Sequence, residues 1–595
     1  MPNPVNPDTP PRSPAEGPAA TVAPQATALV RDGFARAVRM EAAPGRVLMP
    51  DTQDRQAQAT LERLADPDRS RTVLRRATPT DGSLRSTLQP SGWDAFEHAW
   101  QARGAARAGA TLRVLTGPVT SPTERGLIAA LLARHPGARW HVHAPWRDLA
   151  AEDGARFAFG RAATALAHVD KARCVLVLGS APFADAPDKP ASTPDAAPAL
   201  FAVEATPGRP DARTVDRIAL SPARIEAWLW RLAAHWMPEI ADLDPEPAWA
   251  AAAPVKAFER RVVAALRAAG DAALILPGQG LSPETHALAL ALDQRLGAIG
   301  RTLTLIEPPD AAQGVGTLAD LVHALQDDAV DTLIVIGANP VHDAPAAFGL
   351  PLALSRARLL VHAGTRVDET AAQADWHLPL SQPLELWGDA LGADGSAALL
   401  QPVIAAPPEA RSAAELLALL AGDELRDGWS LLRRQWQGLW SREAGETLWR
   451  DSLRHGVVRA SASRPIAPVE ARLPARRTLQ ACSDAPALVA LFVPARACLV
   501  DDALSLSPAT AARLGLATGD RVRAHVDAGA IEAPVRVLEG QADDVVTLPI
   551  GGGRRHGGGA AVFNANSVRP ATALSAPITI ERVGPREDDR IGAGG

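Results

Sequence analysis

The feature that most constrains the fold is an aliphatic run that ends in a glycine and an Asn-Pro pair. It occupies residues 331–340 and reads DTLIVIGANP. A short apolar run bounded by turn residues predicts a buried strand. Gly337 accepts a positive φ, and Pro340 cannot donate to a strand ladder, so a tight turn is expected to follow the strand. A second apolar run, residues 359–362, follows at the spacing of a βαβ unit.

The same alternation of strands and helices recurs in the first half of the chain. Apolar runs predict further strands at residues 111–117, 140–143, 174–178, 200–203 and 272–276. Helix starts are predicted at Ser121-Pro122 and Ser282-Pro283, because serine caps a helix and proline fits its first turn. Strands that alternate with helices indicate a mostly parallel sheet.

The C-terminal part has a different pattern. Residues 412–456 show helical periodicity that begins with a Ser412–Glu415 capping box, and their tryptophans are expected to be mainly core residues. From about residue 488, short alternating strands separated by turns such as Gly519-Asp520 predict a small β-barrel.

Composition excludes several functions. A formal charge of −6 does not indicate the excess of positive charge that is typical of nucleic-acid-binding proteins. The three cysteines, Cys174, Cys482 and Cys498, have no C-x-x-C spacing, so this chain alone cannot build a four-cysteine iron–sulfur cluster or a cysteine-rich zinc site. No run reaches the roughly 18–20 apolar residues of a membrane span, and no targeting signal is readable at the N-terminus.

Several motifs occur in the order found in one enzyme superfamily. They are the Gly337–Pro340 turn, Glu369-Thr370, the run 374–379 (ADWHLP), Glu385, Gly395 and Gln401. This set resembles the third α/β domain of the molybdopterin oxidoreductase superfamily. Residues 66–70 and 92–96 resemble the passage that leads into its core, and residues 506–537 resemble its C-terminal, double-psi-type barrel, which binds the pterin dinucleotide. The resemblance implies an α/β fold of Rossmann-like parallel-sheet modules followed by a β-barrel.

The expected domain organisation follows from these assignments. It comprises a disordered Pro/Ala-rich N-terminus (1–50), a lead-in segment (51–110), a first α/β module (111–260), a second α/β module (261–425), amphipathic helices and a linker (426–485), the barrel (486–585) and a disordered tail (586–595).

Within the superfamily, residues 374–379, Glu385 and the triplet Trp387-Gly388-Asp389 look closest to the molybdopterin-oxidoreductase-like subunit of bacterial alternative complex III. That resemblance implies a scaffold subunit of a quinol-oxidising respiratory complex that holds no cofactor and no redox centre of its own. Its expected partners are an iron–sulfur subunit, a multihaem cytochrome and integral membrane quinol-binding subunits. It also implies attachment to the membrane through these partners, at the periplasmic face.

The alternative is an active oxidoreductase subunit that binds molybdopterin guanine dinucleotide and receives electrons through a partner's iron–sulfur clusters. The cofactor-contacting candidates would then be Gly278, Gly280, Gly337, Asn339, Asp343, Asp375, Asp389, Gly519 and Asp520. Each also has a reading as an ordinary turn or cap residue. No catalytic or metal-ligating residue is assigned, and the pair His141 and His143 lacks an apparent third ligand. A third reading compares the chain with the large molybdopterin-like subunit of respiratory complex I.

Overall fold

The computed structural model describes most of the chain. The described residues are 28–31, 37–41, 63–77, 87–106, 111–145, 149–179, 198–207, 216–240, 247–308, 314–438, 440, 442–458, 461–467, 469–474, 488–494, 503–553, 563–570 and 574–583. The expected disordered tail, residues 586–595, lies outside them.

The strands and helices alternate along the first two thirds of the chain, and strands dominate the last third. The strands are β1 (Ala28–Arg31), β2 (Ala37–Glu41), β3 (Leu74–Arg76), β4 (Leu88–Pro90), β5 (Leu112–Thr116), β6 (Arg139–Val142), β7 (Thr164–Ala167), β8 (Cys174–Leu178), β9 (Ala199–Glu204), β10 (Asp216–Ala219), β11 (Ala273–Pro277), β12 (Leu303–Ile306), β13 (Thr332–Ile336), β14 (Leu359–Gly364), β15 (Trp376–Pro379), β16 (Gly388–Leu391), β17 (Ala397–Leu400), β18 (Val489–Pro494), β19 (Leu504–Leu506), β20 (Arg521–Val526), β21 (Gly529–Val537), β22 (Val545–Ile550), β23 (Ser575–Pro577) and β24 (Thr579–Arg582). The helices are α1 (Trp93–Ala106), α2 (Pro122–Arg134), α3 (Ala150–Phe159), α4 (Pro222–Ala233), α5 (Ala248–Ala251), α6 (Ala253–Ala269), α7 (Pro283–Leu296), α8 (Leu318–Gln326), α9 (Pro340–Asp343), α10 (Leu350–Leu354), α11 (Ala413–Ala421), α12 (Gly428–Gln437), α13 (Arg442–His455) and α14 (Pro508–Leu514).

The central sheet has seven strands in the order β4–β3–β15–β14–β13–β5–β6. Strands β15, β14, β13, β5 and β6 are mutually parallel, and β3 and β4 complete the sheet as antiparallel strands at one edge. Every residue of β13 is buried, which confirms the strand predicted from its apolar run. The tight turn after it is also confirmed, because Gly337 has a φ of +64°.

The second sheet contains four parallel strands in the order β10–β9–β8–β11. It is inserted between β6 and β13 of the central sheet. Strand pairing therefore cuts across the expected modules 111–260 and 261–425, because β5 and β6 pair with β13 and β11 pairs with β8. Apolar patterning identified the strands and not their neighbours, since a parallel crossover needs about a dozen residues but has no fixed upper length.

The barrel is a curled seven-stranded sheet in the order β23–β18–β22–β19–β21–β20–β24. Its interior is apolar, with residues such as Phe492, Val522 and Leu548 almost completely buried. The barrel predicted from residue 488 onward is thus confirmed.

The helical segment consists of α11, α12 and α13. The Ser412–Glu415 capping box is present, with both reciprocal hydrogen bonds. Trp429, Trp436 and Trp449 pack together against β17 in one buried cluster, as expected for core tryptophans.

Two further observations concern the N-terminal segment and the search for membrane-spanning helices. Within the segment 1–50, expected to be disordered, β1 and β2 form an antiparallel pair. In the described part of the chain, no helix has both the length and the apolar character needed to traverse a bilayer.

Candidate functional site

The barrel contacts the carboxyl ends of the second sheet. The amide of Ala542 donates to the carbonyl oxygen of Ala205, just after β9, over 2.8 Å. The hydroxyl oxygens of Thr206 and Thr547 lie 2.6 Å apart in a buried hydrogen bond. These contacts fix the barrel against the strand edge where ligands bind in open parallel sheets.

The barrel also contacts the carboxyl end of the central sheet. Asn564 Nδ2 donates to the carbonyl oxygen of His342 over 3.3 Å, and Arg569 Nη2 donates to that of Asp343 over 3.2 Å. Both acceptors belong to α9, the short helix after the Gly337 turn. The barrel therefore contacts the carboxyl edges of both sheets, and we call this region the junction.

Several buried polar atoms without a hydrogen-bond partner lie at this junction. Among the described residues they include both amide atoms of Asn566, Arg569 Nε and His143 Nε2. The exposed fractions of these residues are 0%, 6% and 5%. A buried polar atom left unpaired costs about 1–3 kcal/mol, so such a set is expected where a polar ligand completes the hydrogen bonding.

The electrostatics of the junction favour an anionic or strongly polar ligand. Burial and, to a smaller extent, nearby Arg569 lower the pKa of His143 to about 4, so this imidazole is neutral at pH 7. Burial also lowers the pKa of Arg569, while Asp343 raises it. The guanidinium remains charged, because even a lowered arginine pKa stays far above neutrality. A neutral imidazole, an amide and a buried cation together suit phosphate or carbonyl oxygens.

The predicted glycines occupy strand ends. Gly337 follows β13, and Gly278 follows β11 with its amide donating to the Leu178 carbonyl oxygen over 2.7 Å. Gly280 has a φ of +82° and faces the barrel, because a Cβ there would lie 3.5 Å from Leu491 Cδ1. These three glycines therefore lie at the carboxyl edges of the sheets, as a ligand-binding role requires.

Three predicted polar candidates have internal structural partners. Asn339 donates to Glu369 and accepts from Thr370. Asp375 accepts from the Leu360 amide over 2.8 Å, at the amino ends of β14 and β15 and thus at the opposite edge from the junction. Their side chains stabilise the sheet locally.

Asp389 is the third predicted polar candidate that has internal structural partners. Its buried carboxylate accepts from the hydroxyls of Ser121 and Thr123, and from Trp436 Nε1 over 2.8 Å. It joins the start of α2 to the helical segment.

The remaining candidates differ in position. Asp343 lies at the junction, with its carbonyl oxygen bound by Arg569. Gly519 and Asp520 form the turn before β20, where Asp520 accepts from Arg582 over 2.7 Å and from the Ala517 amide over 2.9 Å. No hydrogen bond between described residues links that turn to either sheet.

The structure offers no protein-only metal centre in its described part. No group of three or more His, Cys, Asp or Glu side chains is arranged there to hold a metal ion. His141 Nδ1 is hydrogen-bonded to the Thr317 carbonyl oxygen, so the two strand histidines do not form a free pair. Burial raises the pKa of the Cys174 thiol to about 12, as expected for an inert core cysteine.

The sequence analysis missed Asn566 and Arg569. They belong to the stretch NANSVRP, residues 564–570, between two barrel strands. The only indication in the sequence was a short polar stretch with an arginine inside the predicted barrel. Such a stretch cannot be distinguished from an ordinary loop.

Comparison with known proteins agrees with this architecture. Residues 492–576 match the family model described as Molydopterin dinucleotide binding domain. The whole fold is similar to that of acetylene hydratase from Pelobacter acetylenicus, with a TM-score of 0.64 and 13% sequence identity over 95% of this chain and 100% of the other. The chain has the fold of the molybdopterin oxidoreductases.

At 13% identity this likeness is one of fold, and no curated protein matches the chain by sequence. The superfamily expected from the motif order is supported, whereas assignment to alternative complex III gains no support. The matched barrel includes Asn566 and Arg569, two of the residues with unpartnered buried atoms. The expectation that this chain holds no cofactor is therefore not supported, and the dinucleotide-binding alternative fits better.

Proposed function

We propose that this chain is an oxidoreductase subunit that binds a molybdopterin dinucleotide at the junction. The single observation that carries the proposal is the set of unpartnered buried atoms on Asn566, Arg569 and His143. They lie where a domain of the dinucleotide-binding type meets the carboxyl edges of the sheets. Since the chain lacks a cysteine set for a cluster, electrons would pass through the iron–sulfur clusters of a partner.

The residues fit such a cofactor in chemical type. Arg569 supplies a buried positive charge for phosphate oxygens, and Asn566 supplies one donor and one acceptor. His143, held neutral by burial, can donate or accept a single hydrogen bond. Gly337 and Gly280 have positive φ values at the two sheet edges, where no side chain fills the space beside the backbone. When bound, the cofactor supplies the metal and the two-electron redox chemistry.

The test is cofactor analysis of the full chain produced in a host that makes molybdopterin. We expect molybdenum or tungsten by elemental analysis and a fluorescent pterin derivative after acid oxidation, both near stoichiometric. Arg569→Gln is expected to lower the content of both. Arg523→Gln, which changes an exposed arginine of the same barrel paired with Glu532, is the matched control.

A folded wild-type protein without pterin or metal would overturn this proposal. The second candidate function, a cofactor-free scaffold of an alternative complex III-type assembly, would then be favoured. Its support is that the chain has only three cysteines and that Asn339, Asp375 and Asp389 have internal partners. That reading expects co-purification with iron–sulfur, multihaem cytochrome and quinol-binding membrane subunits.

A further inference from the structure

Three side chains form a hydrogen-bonded series beneath the carboxyl edge of the central sheet, and a buried carboxylate contacts its end. Ser70 Oγ lies 2.6 Å from His377 Nε2, and the Nδ1 atoms of His377 and His362 lie 3.0 Å apart. His362 Nε2 is 3.5 Å from Asp368 Oδ1, an electrostatic contact rather than a hydrogen bond, since this nitrogen has no hydrogen-bond partner among the described residues. The two histidines are direct partners on the neighbouring parallel strands β14 and β15.

The two rings are aligned edge to edge. Their planes differ by 15°, and their centroids are 5.2 Å apart. Gly364 makes room for this arrangement, because a Cβ there would lie 2.6 Å from His362 Cε1. The N–H of one ring can therefore point directly at the lone pair of the other.

These contacts determine one direction for the series. A carboxylate accepts only, so His362 carries its proton on Nε2 and presents a bare Nδ1. His377 must then donate from Nδ1, which leaves its Nε2 to accept from the Ser70 hydroxyl. Each of the two hydrogen bonds thus has one donor and one acceptor, and the Nε2 proton of His362 faces the Asp368 carboxylate.

Burial keeps the His377 ring neutral at pH 7. His362 and His377 have no exposed surface. Burial and, to a smaller extent, His362 lower the pKa of His377 to about 3, while Asp368 opposes the change. Burial alone would raise the pKa of Asp368, but its contact with His362 and the hydrogen bond from the Ala371 amide outweigh burial and lower that pKa.

The surrounding charges are paired. Arg69 forms a buried ion pair with Glu385, and Arg366 pairs with Asp66. Asp368 is therefore the charged group aimed at the histidines. A base with a pKa near 3 activates a nucleophile poorly, so this arrangement suits proton transfer rather than attack by Ser70.

We propose that Ser70, His377, His362 and Asp368 form a directed proton relay. A proton arriving at Ser70 Oγ displaces the hydroxyl proton onto His377 Nε2, and the Nδ1 proton of His377 moves to His362 Nδ1. The Nε2 proton of His362 then moves to Asp368 Oδ1. One proton enters, the negative charge of Asp368 is neutralised, and each ring again carries one proton.

The relay ends beside the junction. Asp368 Oδ1 also accepts from the amides of Thr370 and Ala371, over 3.1 Å and 2.9 Å. Thr370 in turn donates from its hydroxyl to Asn339 Oδ1 over 2.8 Å, in the turn after β13. The role of the relay in carrying protons that accompany electron transfer at the junction rests on the proposed function. The arrangement of the four side chains does not depend on that function.

The first measurement is the tautomeric state of both rings in the full chain. Selective ¹⁵N-histidine labelling reports which nitrogen is protonated, and His362→Gln and His377→Gln assign the signals among the 14 histidines. We expect His377 protonated on Nδ1 and His362 on Nε2 at pH 7. Both rings protonated on Nε2, or either ring as imidazolium, would overturn the proposal.

The second measurement is exchange of these ring protons with water. Ser70→Ala is expected to slow exchange of the His377 proton roughly tenfold or more, as loss of a positioned acid–base group does. Ser70→Thr keeps the hydroxyl and the wild-type rate. His168, hydrogen-bonded to Thr304 between β7 and β12, is the internal control.

Asp368→Asn provides a second variant should Ser70→Ala fail to fold. It keeps an acceptor for the Thr370 and Ala371 amides but removes the charge, so the His362 tautomer preference is expected to weaken. Wild-type exchange in Ser70→Ala, or an unchanged tautomer preference in Asp368→Asn, refutes the relay. Protein without pterin refutes the proposed function and leaves the relay intact.

Discussion

At the scale of single residues, Asp389 shows how one carboxylate organises its surroundings. It accepts hydrogen bonds from Ser121, Thr123 and Trp436, which lie on elements distant in sequence. Asp389→Asn keeps the shape but turns an NH2 group toward these donors. We expect the free energy of unfolding to fall by about 2–3 kcal/mol, the cost of unsatisfied buried donors. Denaturant titration measures it.

The control for that substitution is Asp271→Asn, at an exposed aspartate paired with Arg301. An exposed ion pair contributes about 0–1 kcal/mol, so the control should change stability little. Equal effects of the two substitutions would contradict the role assigned to Asp389.

Glu124 gives a prediction about pH. Burial and, to a smaller extent, Asp389 raise the pKa of this carboxyl to about 7. The folded state therefore holds the proton more tightly than the unfolded chain, and stability is lost as pH rises from about 4.5 to 7. Because the residue is partly exposed, solvent screening limits the effect to about 1–2 kcal/mol.

Glu124→Gln should remove this pH dependence. The variant is expected to match the wild type at about pH 3.5, where Glu124 is largely protonated in both states, and to be more stable at pH 8. Chemical denaturation at the two pH values checks it, and an identical pH dependence in both proteins would refute it.

At the scale of elements, two helical glycines should respond oppositely to alanine. In α3, a Cβ on Gly154 would lie 2.5 Å from His286 Cβ and 2.9 Å from the Pro283 carbonyl oxygen, so α3 and α7 would have to separate. Gly154→Ala should lower the free energy of unfolding by about 1–3 kcal/mol. Gly445→Ala, in α13, meets only an ordinary 3.8 Å contact and should raise it by about 0.5–1 kcal/mol. Thermal and denaturant unfolding distinguish the two signs.

The elements themselves were largely predictable from sequence. Apolar runs such as that of β13 and serine caps such as Ser412 carry local information, and the structure confirms both. The pairing of β5 with β13 was not predictable, because strand neighbours depend on the whole sheet. The proximity of Ser70 and His377 was equally hidden, since 307 residues separate them.

The candidate site was predictable only in part. The glycines at strand ends follow from turn chemistry, and Gly337 and Gly280 indeed have positive φ. Asn566 and Arg569 could not be assigned, because their burial arises from packing between the barrel and the central sheet. Asp375 has the same residue type as Asp343 but lies at the opposite strand edge.

At the scale of the whole molecule, buried neutral histidines should make the fold sensitive to acid. Burial lowers the pKa of His143 to about 4 and that of His377 to about 3, against a usual value of 6.5. The unfolded chain therefore binds protons first, and stability is lost as pH falls below about 6.5. We expect unfolding free energies measured from pH 6.5 to 4 to decline, and to decline less in His143→Gln. The measurement is repeated in Glu124→Gln, which removes the opposing pH effect of that carboxyl. A free energy of unfolding that stays constant from pH 6.5 to 4 in this variant would refute the prediction.

The insertion of the second sheet between β6 and β13 affects how the chain is assembled during synthesis. Strands β5 and β6 leave the ribosome long before β13, the neighbour that joins them to the rest of the central sheet. The second sheet has all four of its strands once β11 has emerged, so it can form as a unit. At that stage β5 and β6 still lack their neighbour β13. A nascent chain stalled before Thr332 should therefore protect β8–β11 from proteolysis and leave β5 and β6 open to cleavage.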